Sequence, residues 1–144
     1  MKRSLMVLAI GASIIVLGLV GAVHAQKAKQ VVYVSSAKGE YKTSPTPGVS
    51  MQVLVGDPDQ GPHATFTKFI PGYDAGMHTH TNDVSLLVIK GAYLYKDDAG
   101  EKRVGPGEYL FVPGGHKHWS GGDKSEGAVF YEEGSGKFDA VPAK

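Results

Sequence analysis

The chain has 144 residues, 15 basic side chains against 14 acidic ones, and no cysteine. The near-balance, with no basic block, argues against a nucleic-acid groove or an anionic membrane surface as partner. The lack of cysteine excludes disulfides, thiolate ligands and a Cys nucleophile, and leaves His, carboxylate, Tyr and water for chemistry.

Residues 1–25 read as a secretory signal peptide. Lys2 and Arg3 make a basic start, Leu5 to Val20 is apolar, and Val23-His24-Ala25 offers the small residues a signal peptidase reads. The apolar stretch is long enough to raise an uncleaved anchor. Gly11, Gly18 and Gly21 favour cleavage after Ala25. The expected location is periplasmic or secreted, with no stable membrane span after cleavage. Residues 26–144 then hold 13 basic and 14 acidic side chains, a net of −1, and suffice for one domain with its own core.

Val31–Val34 reads as a first strand, followed by a Pro- and Gly-punctuated loop to Ser50. Met51–Val55 is a second strand, stopped by Gly56-Asp57-Pro58. Ala64–Ile70 alternates and should bury one face. Pro71-Gly72 turns the chain into a segment carrying His78 and His80. Val84–Ile89 is strongly apolar, and Ala92–Lys96 follows Gly91. Asp97–Gly100 has hairpin chemistry. Lys102–Val104, Glu108–Val112 and Ala128–Glu132 complete the strands, and a polar, Gly-rich tail runs from Gly134 with Phe138 as a possible anchor. About eight to ten short strands with no amphipathic helical run predict an all-β domain. The boundaries expected are 26–50 for the N-terminal strand and loop, 51–133 for the barrel and 134–144 for the tail.

Four of the six histidines fall in two motifs. His78-Thr79-His80 puts two imidazoles on one strand face. His118 from a later strand can close a facial set of three nitrogens, a donor set suited to Fe, Mn, Zn, Ni or Cu rather than Mg or Ca. These two segments resemble the paired signatures of the cupin family. Gly72, His78, His80 and Gly91 fit its first motif; Gly107, Pro113, Gly115 and His118 fit the second, with about 15 residues between the motifs. The resemblance implies a double-stranded β-helix, a jelly-roll barrel, with a ligand cavity at its mouth. It also implies a divalent transition metal as cofactor and a homodimer, with Val31–Val34 available to swap across the interface. At the position of the family's usual Glu ligand stands Val84. Three outcomes stay open: a site of His78, His80 and His118 alone, an oxygen supplied by Asn82 or Asp83, or weak or lost metal binding.

Asp83 is the acid/base candidate nearest these ligands in sequence. Tyr93 and Tyr95, which share a strand face, and His116 are ligand-pocket candidates. Glu108 is expected to face solvent, and His63 to lie at the surface or rim. The function expected is that of an exported metal-site cupin acting on a small organic molecule, an oxidoreductase of dioxygenase-like kind. The alternative is a non-catalytic small-ligand-binding or sensing cupin with a structural metal or none. A metal-free epimerase ranks last, because two paired His motifs exceed what that chemistry needs.

Overall fold

The computed structural model describes residues 30–144; the signal-peptide reading lies outside them. Residues Val32–Lys144 form one compact unit. Eleven strands make it up: β1 (Lys42–Thr43), β2 (Val49–Gly56), β3 (His63–Phe69), β4 (Asp74–Thr79), β5 (Val84–Gly91), β6 (Tyr93–Asp97), β7 (Gly100–Val104), β8 (Tyr109–Val112), β9 (His118–Gly122), β10 (Ala128–Gly134) and β11 (Val141–Pro142). They form a six-stranded sheet, β1-β2-β3-β10-β5-β8, and a five-stranded sheet, β11-β4-β9-β6-β7. Every pairing is antiparallel. This is the all-β fold that the alternation and turn signals predict, and the jelly roll that the family resemblance implies.

Burial follows side-chain parity, as it must where each sheet packs one face on the other. Along β10, Ala128, Phe130, Glu132 and Gly134 are buried, while Val129, Tyr131 and Glu133 are half-buried or exposed. Along β5, Val84, Leu86, Val88 and Gly91 are buried. The turn from β5 into β6 requires glycine. Gly91 has φ 68°, and a Cβ there would sit 2.3 Å from the Gly127 carbonyl oxygen. That close approach lets Ala92 N–H donate to Gly127 O at 3.0 Å.

The interior is divided. Its apolar part comes from β5 to β8 and the start of β10: Leu86, Val88, Tyr93, Tyr95, Val104, Val112, Ala128 and Phe130, with Phe69 and Leu110 packed against them. Burying a side chain such as Phe130 contributes about 2–3 kcal/mol. The polar part comes from β3, β4, β9 and the end of β10. His63, Thr65, Thr67, His78, His80, His118, Ser120 and Glu132 are all buried there. A cluster of this kind costs stability unless each group finds a partner.

Two expectations need correction. Val31–Val34 is not a strand; Val31 and Tyr33 are almost fully exposed and pair with nothing among the described residues. High β-propensity alone does not make a strand where no sheet edge receives it. His63 is not a surface residue. It opens β3 on the inward parity, is buried, and meets the Phe138 ring edge-on at 6.2 Å. The segment from Ser35 to Gly48 is loop apart from the two-residue strand β1.

Candidate metal centre

β4 and β9 pair so that His78 lies directly opposite His118. His80 follows two residues after His78, just past the end of β4. Register therefore assembles the trio: a cross-strand pair and an i, i+2 pair sharing one residue. Ring centroids are 4.3 Å apart for His78–His118, 4.9 Å for His78–His80 and 5.2 Å for His80–His118. One ligand atom from each of the three residues lies within 4.8 Å of the others.

The other side of each ring is already committed. His78 Nδ1 lies 2.9 Å from Gly76 O, His118 Nδ1 lies 2.9 Å from His116 O, and His80 Nδ1 lies 2.5 Å from Asp139 O. A carbonyl can only accept, so each Nδ1 carries a proton, and in the neutral ring it is Nε2 that offers a lone pair. His118 Nε2 is buried with no hydrogen-bond partner. Burial pushes the His118 imidazole down to about 4, and lowers that of His80, so both rings are neutral near pH 7. Three pre-oriented imidazoles, two of them held neutral by burial and one with an orphaned buried nitrogen, fit a divalent transition metal.

His78 and His80 line a cavity of about 240 Å³, whose other walls include Thr67, Phe69, Tyr73, Val84, Tyr93, Ser120, Glu132 and Phe138. It adjoins a wider groove of about 700 Å³, the two sharing Ser44, Thr46, Met51, Phe138 and Ala140. The C-terminal tail forms part of this wall rather than hanging free. β11 pairs with β4, Phe138 N–H donates to Pro58 O at 2.8 Å, and the Phe138 ring lies 5.4 Å from that of His80. The Asp139 carboxylate accepts from Thr81 N–H at 2.8 Å and from Thr81 Oγ1 at 2.5 Å, and these bonds hold it below the usual carboxylate range.

The remaining predicted site residues fall in several places. Tyr93 is buried and lines the cavity; burial drives its phenol well above the ordinary value. Tyr95 stacks on His118, with centroids 5.4 Å apart and planes at 19°, while its hydroxyl donates to Asp97 Oδ2 at 2.9 Å. His116 is half-buried, with Nε2 3.0 Å from the same Asp97 oxygen. Tyr95 and His116 thus brace His118 from behind instead of lining the cavity. Asp83 is exposed, accepts from Gly114 N–H at 2.8 Å, and borders an outer cleft with Ser85, Phe111 and Tyr131. Asn82 Nδ2 donates to Lys137 O at 2.9 Å. Val84 is buried and faces the cavity, so β5 offers no carboxylate at that point. Glu108 is exposed and caps Gly105 N–H.

Sequence reasoning passed over one buried acid. Glu132 is 8% exposed, lines the cavity, and has its carboxyl pushed up to about 7 by burial alone. Its signal was available in the alternation Ala128, Phe130, Glu132, which places it on the inward face of β10.

The ChrR cupin-like domain family matches residues 23–135. The chain belongs to that family, within the cupin superfamily. No curated protein sequence matches this cupin at a significant level. Among solved structures it is similar to the polyketide cyclase RemF from Streptomyces resistomycificus, at 19% identity and a TM-score of 0.66, covering 80% of this chain and 87% of that one. It is similar to KdgF from Halomonas sp., at 19% identity and a TM-score of 0.58, covering 73% and 94%. It is also similar to salicylate 1,2-dioxygenase from Pseudoaminobacter salicylatoxidans, at 14% identity and a TM-score of 0.54, covering 69% and 30%. At these identities the likeness is one of fold.

Proposed function

We propose that this cupin is an exported, metal-dependent enzyme that acts on a small organic molecule, with oxidoreductase chemistry of the dioxygenase-like kind. The observation that carries the reading is the set of three imidazoles, each with Nδ1 committed to a backbone carbonyl and Nε2 left to a shared centre beside a cavity. A three-imidazole metal supplies a Lewis-acidic or redox-active centre with open positions for an exchangeable donor. His78, His80 and His118 would hold it. Phe138 and the tail would keep water from the cavity, and Tyr93 and Ser120 would position a bound ligand by hydrogen bonding. The fold relationship to a dioxygenase, a cyclase and other cupins supports a small-molecule site in this barrel. Export rests on the first 25 residues, and pairing into a homodimer on cupin habit.

One observation favours a second reading, a non-catalytic ligand-binding cupin. Val84 presents an apolar wall where the family usually carries a carboxylate.

Elemental analysis of residues 26–144, purified without an added His tag beside His80→Ala, tests the primary reading. Near-stoichiometric Fe, Mn, Ni, Cu or Zn that disappears in the variant is expected, and iron would direct the work to oxygen-consumption assays. Metal absent from both proteins after reconstitution would sink the enzyme reading and leave the ligand-binding one.

A further inference from the structure

Glu132 is the buried ionisable group that the metal reading leaves without a task. It lies toward the end of β10, directly opposite Thr65 on β3 and Leu86 on β5. Thr65 is fully buried and its hydroxyl is engaged with that of Thr67 at 2.8 Å. Among the described residues, no Lys or Arg lines the cavity. The ionisable groups that share the cavity with Glu132 are His78 from β4, His80 just beyond it, Tyr73, and Tyr93 from β6. A buried carboxylate without a positive partner is expensive to maintain. Placed in a cavity wall, it is a group ready to accept a proton.

The same wall restricts what can enter. With no Lys or Arg in the wall, a ligand that arrives as a carboxylate or phosphate adds a second negative charge beside Glu132, offset only by a metal at the imidazoles. A neutral molecule carrying weakly acidic hydroxyls has no such penalty. It can lose one proton inside the cavity and bind as an oxygen anion beside the imidazole trio.

We propose that Glu132 is the proton acceptor of this site and that its ligand is a small, neutral hydroxylated molecule, deprotonated on binding. The ligand O–H bond breaks, the electron pair stays on the ligand oxygen, and the proton forms an O–H bond on the Glu132 carboxylate. No oxidant is consumed in this step. The inference rests on the metal reading above, and the test separates the two.

The test uses zinc-loaded protein and catechol as the probe, at about pH 8, where Glu132 is ionised and catechol is neutral. Titration calorimetry in two buffers of different ionisation enthalpy counts the protons released. Wild type should bind catechol with close to no proton released, because Glu132 retains it. Glu132→Gln should release close to one proton and bind catechol about tenfold more weakly, the scale of one lost charge-assisted hydrogen bond. Zinc content should be the same in both. If wild type releases a full proton, or binds a small carboxylate such as benzoate more tightly than catechol, the inference falls while the metal reading stands. If zinc binds but catechol does not, the inference falls alone. If zinc itself fails to bind wild type, both fall. A wild-type count near one overturns the inference even if the variant misfolds; a count near zero supports it only with the ultraviolet shift of bound catecholate, and its absence, meaning catechol bound with its protons on, overturns it.

Discussion

Two walls of one cavity carry opposite chemistry. On the β4/β9 side, His78 and His80 line the cavity next to His118; all three imidazoles are anchored through Nδ1 to a backbone carbonyl, and burial keeps two of them neutral. On the β10 wall, one carboxyl is placed by strand parity, with no positive partner among the cavity residues, and burial works against its charge. Desolvation is the leading cause on both sides, yet it moves the groups in opposite directions because one is cationic and the other anionic when charged. The comparison separates two kinds of preparation. The imidazoles are oriented for binding, and the carboxyl is poised for a proton.

The largest effect should come from breaking the oriented wall. His118→Ala removes the fully buried member and should lower metal affinity by more than about 100-fold, beyond the usual cost of losing a residue that merely orients a ligand. Equilibrium dialysis against zinc measures it; affinity within tenfold of wild type would mean that the trio is not the site.

The opposition of the two walls should be visible in stability against pH, in protein stripped of metal by chelation. Glu132 has a carboxyl value of about 7 when folded, against 4.5 ordinarily. The folded chain holds that proton more firmly, so stability falls as pH rises through this window, by about 3 kcal/mol in all. His118 has a value of about 4 when folded, against 6.5. Here the unfolded chain holds the proton more firmly, so stability rises from about pH 4 to 6.5, again by about 3 kcal/mol. Glu132→Gln removes only the first contribution. Urea unfolding should show the variant gaining on wild type by about 3 kcal/mol between pH 4.5 and 7.5. A constant difference between the two proteins across that range would show that Glu132 is not an unpartnered buried acid.

The oriented wall was largely legible in the sequence and the carboxyl wall was not. His78, His80 and His118 announce themselves by spacing, because a strand period of two and a cross-strand pair are enough to bring three imidazoles together. Gly91 and Gly107 likewise marked turns by their residue type. Glu132 carried the same parity signal as Phe130 but sat beside Glu133 near a strand end, where acids ordinarily face solvent. Asp83 drew attention through nearness in sequence to His80. Yet parity puts Val84 inward and Asp83 outward, onto the turn at Gly114. Val31–Val34 has strand composition, but pairing depends on a partner edge that composition does not specify. The tail was the least legible part. Phe138 was readable as an anchor, the one aromatic ring in a polar tail, but its partners were not: docking depends on long-range contacts, Phe138 to Pro58 and Asp139 to Thr81, that have no local pattern.

The tail offers a milder way to loosen the oriented wall without touching a ligand. Asp139→Ala deletes both hydrogen bonds to Thr81 while leaving the carbonyl that receives His80 Nδ1 in the chain. A tail held less firmly should present that carbonyl for less of the time. Metal affinity should fall about tenfold, the low end for losing an orienting partner, with folding stability reduced by about 1 kcal/mol. Unchanged affinity would mean that Phe138 and β11 suffice to hold the tail.

The smallest effect should come from the brace behind His118. His116→Ala removes the imidazole that lies 3.0 Å from Asp97 Oδ2, at a side chain 41% exposed. The Tyr95 hydroxyl still donates to that oxygen, and the Tyr95 ring still stacks on His118, so the ligand keeps its main support. His118 Nδ1 also keeps its acceptor, since that is the backbone carbonyl of residue 116 and survives the substitution. An exposed pair of this kind contributes at most about 1 kcal/mol. Metal affinity should therefore change less than about threefold, on the same dialysis scale that registers the loss of His118. A loss as large as that of His118→Ala would make His116 a ligand in its own right, and the oriented wall would then have four members rather than three.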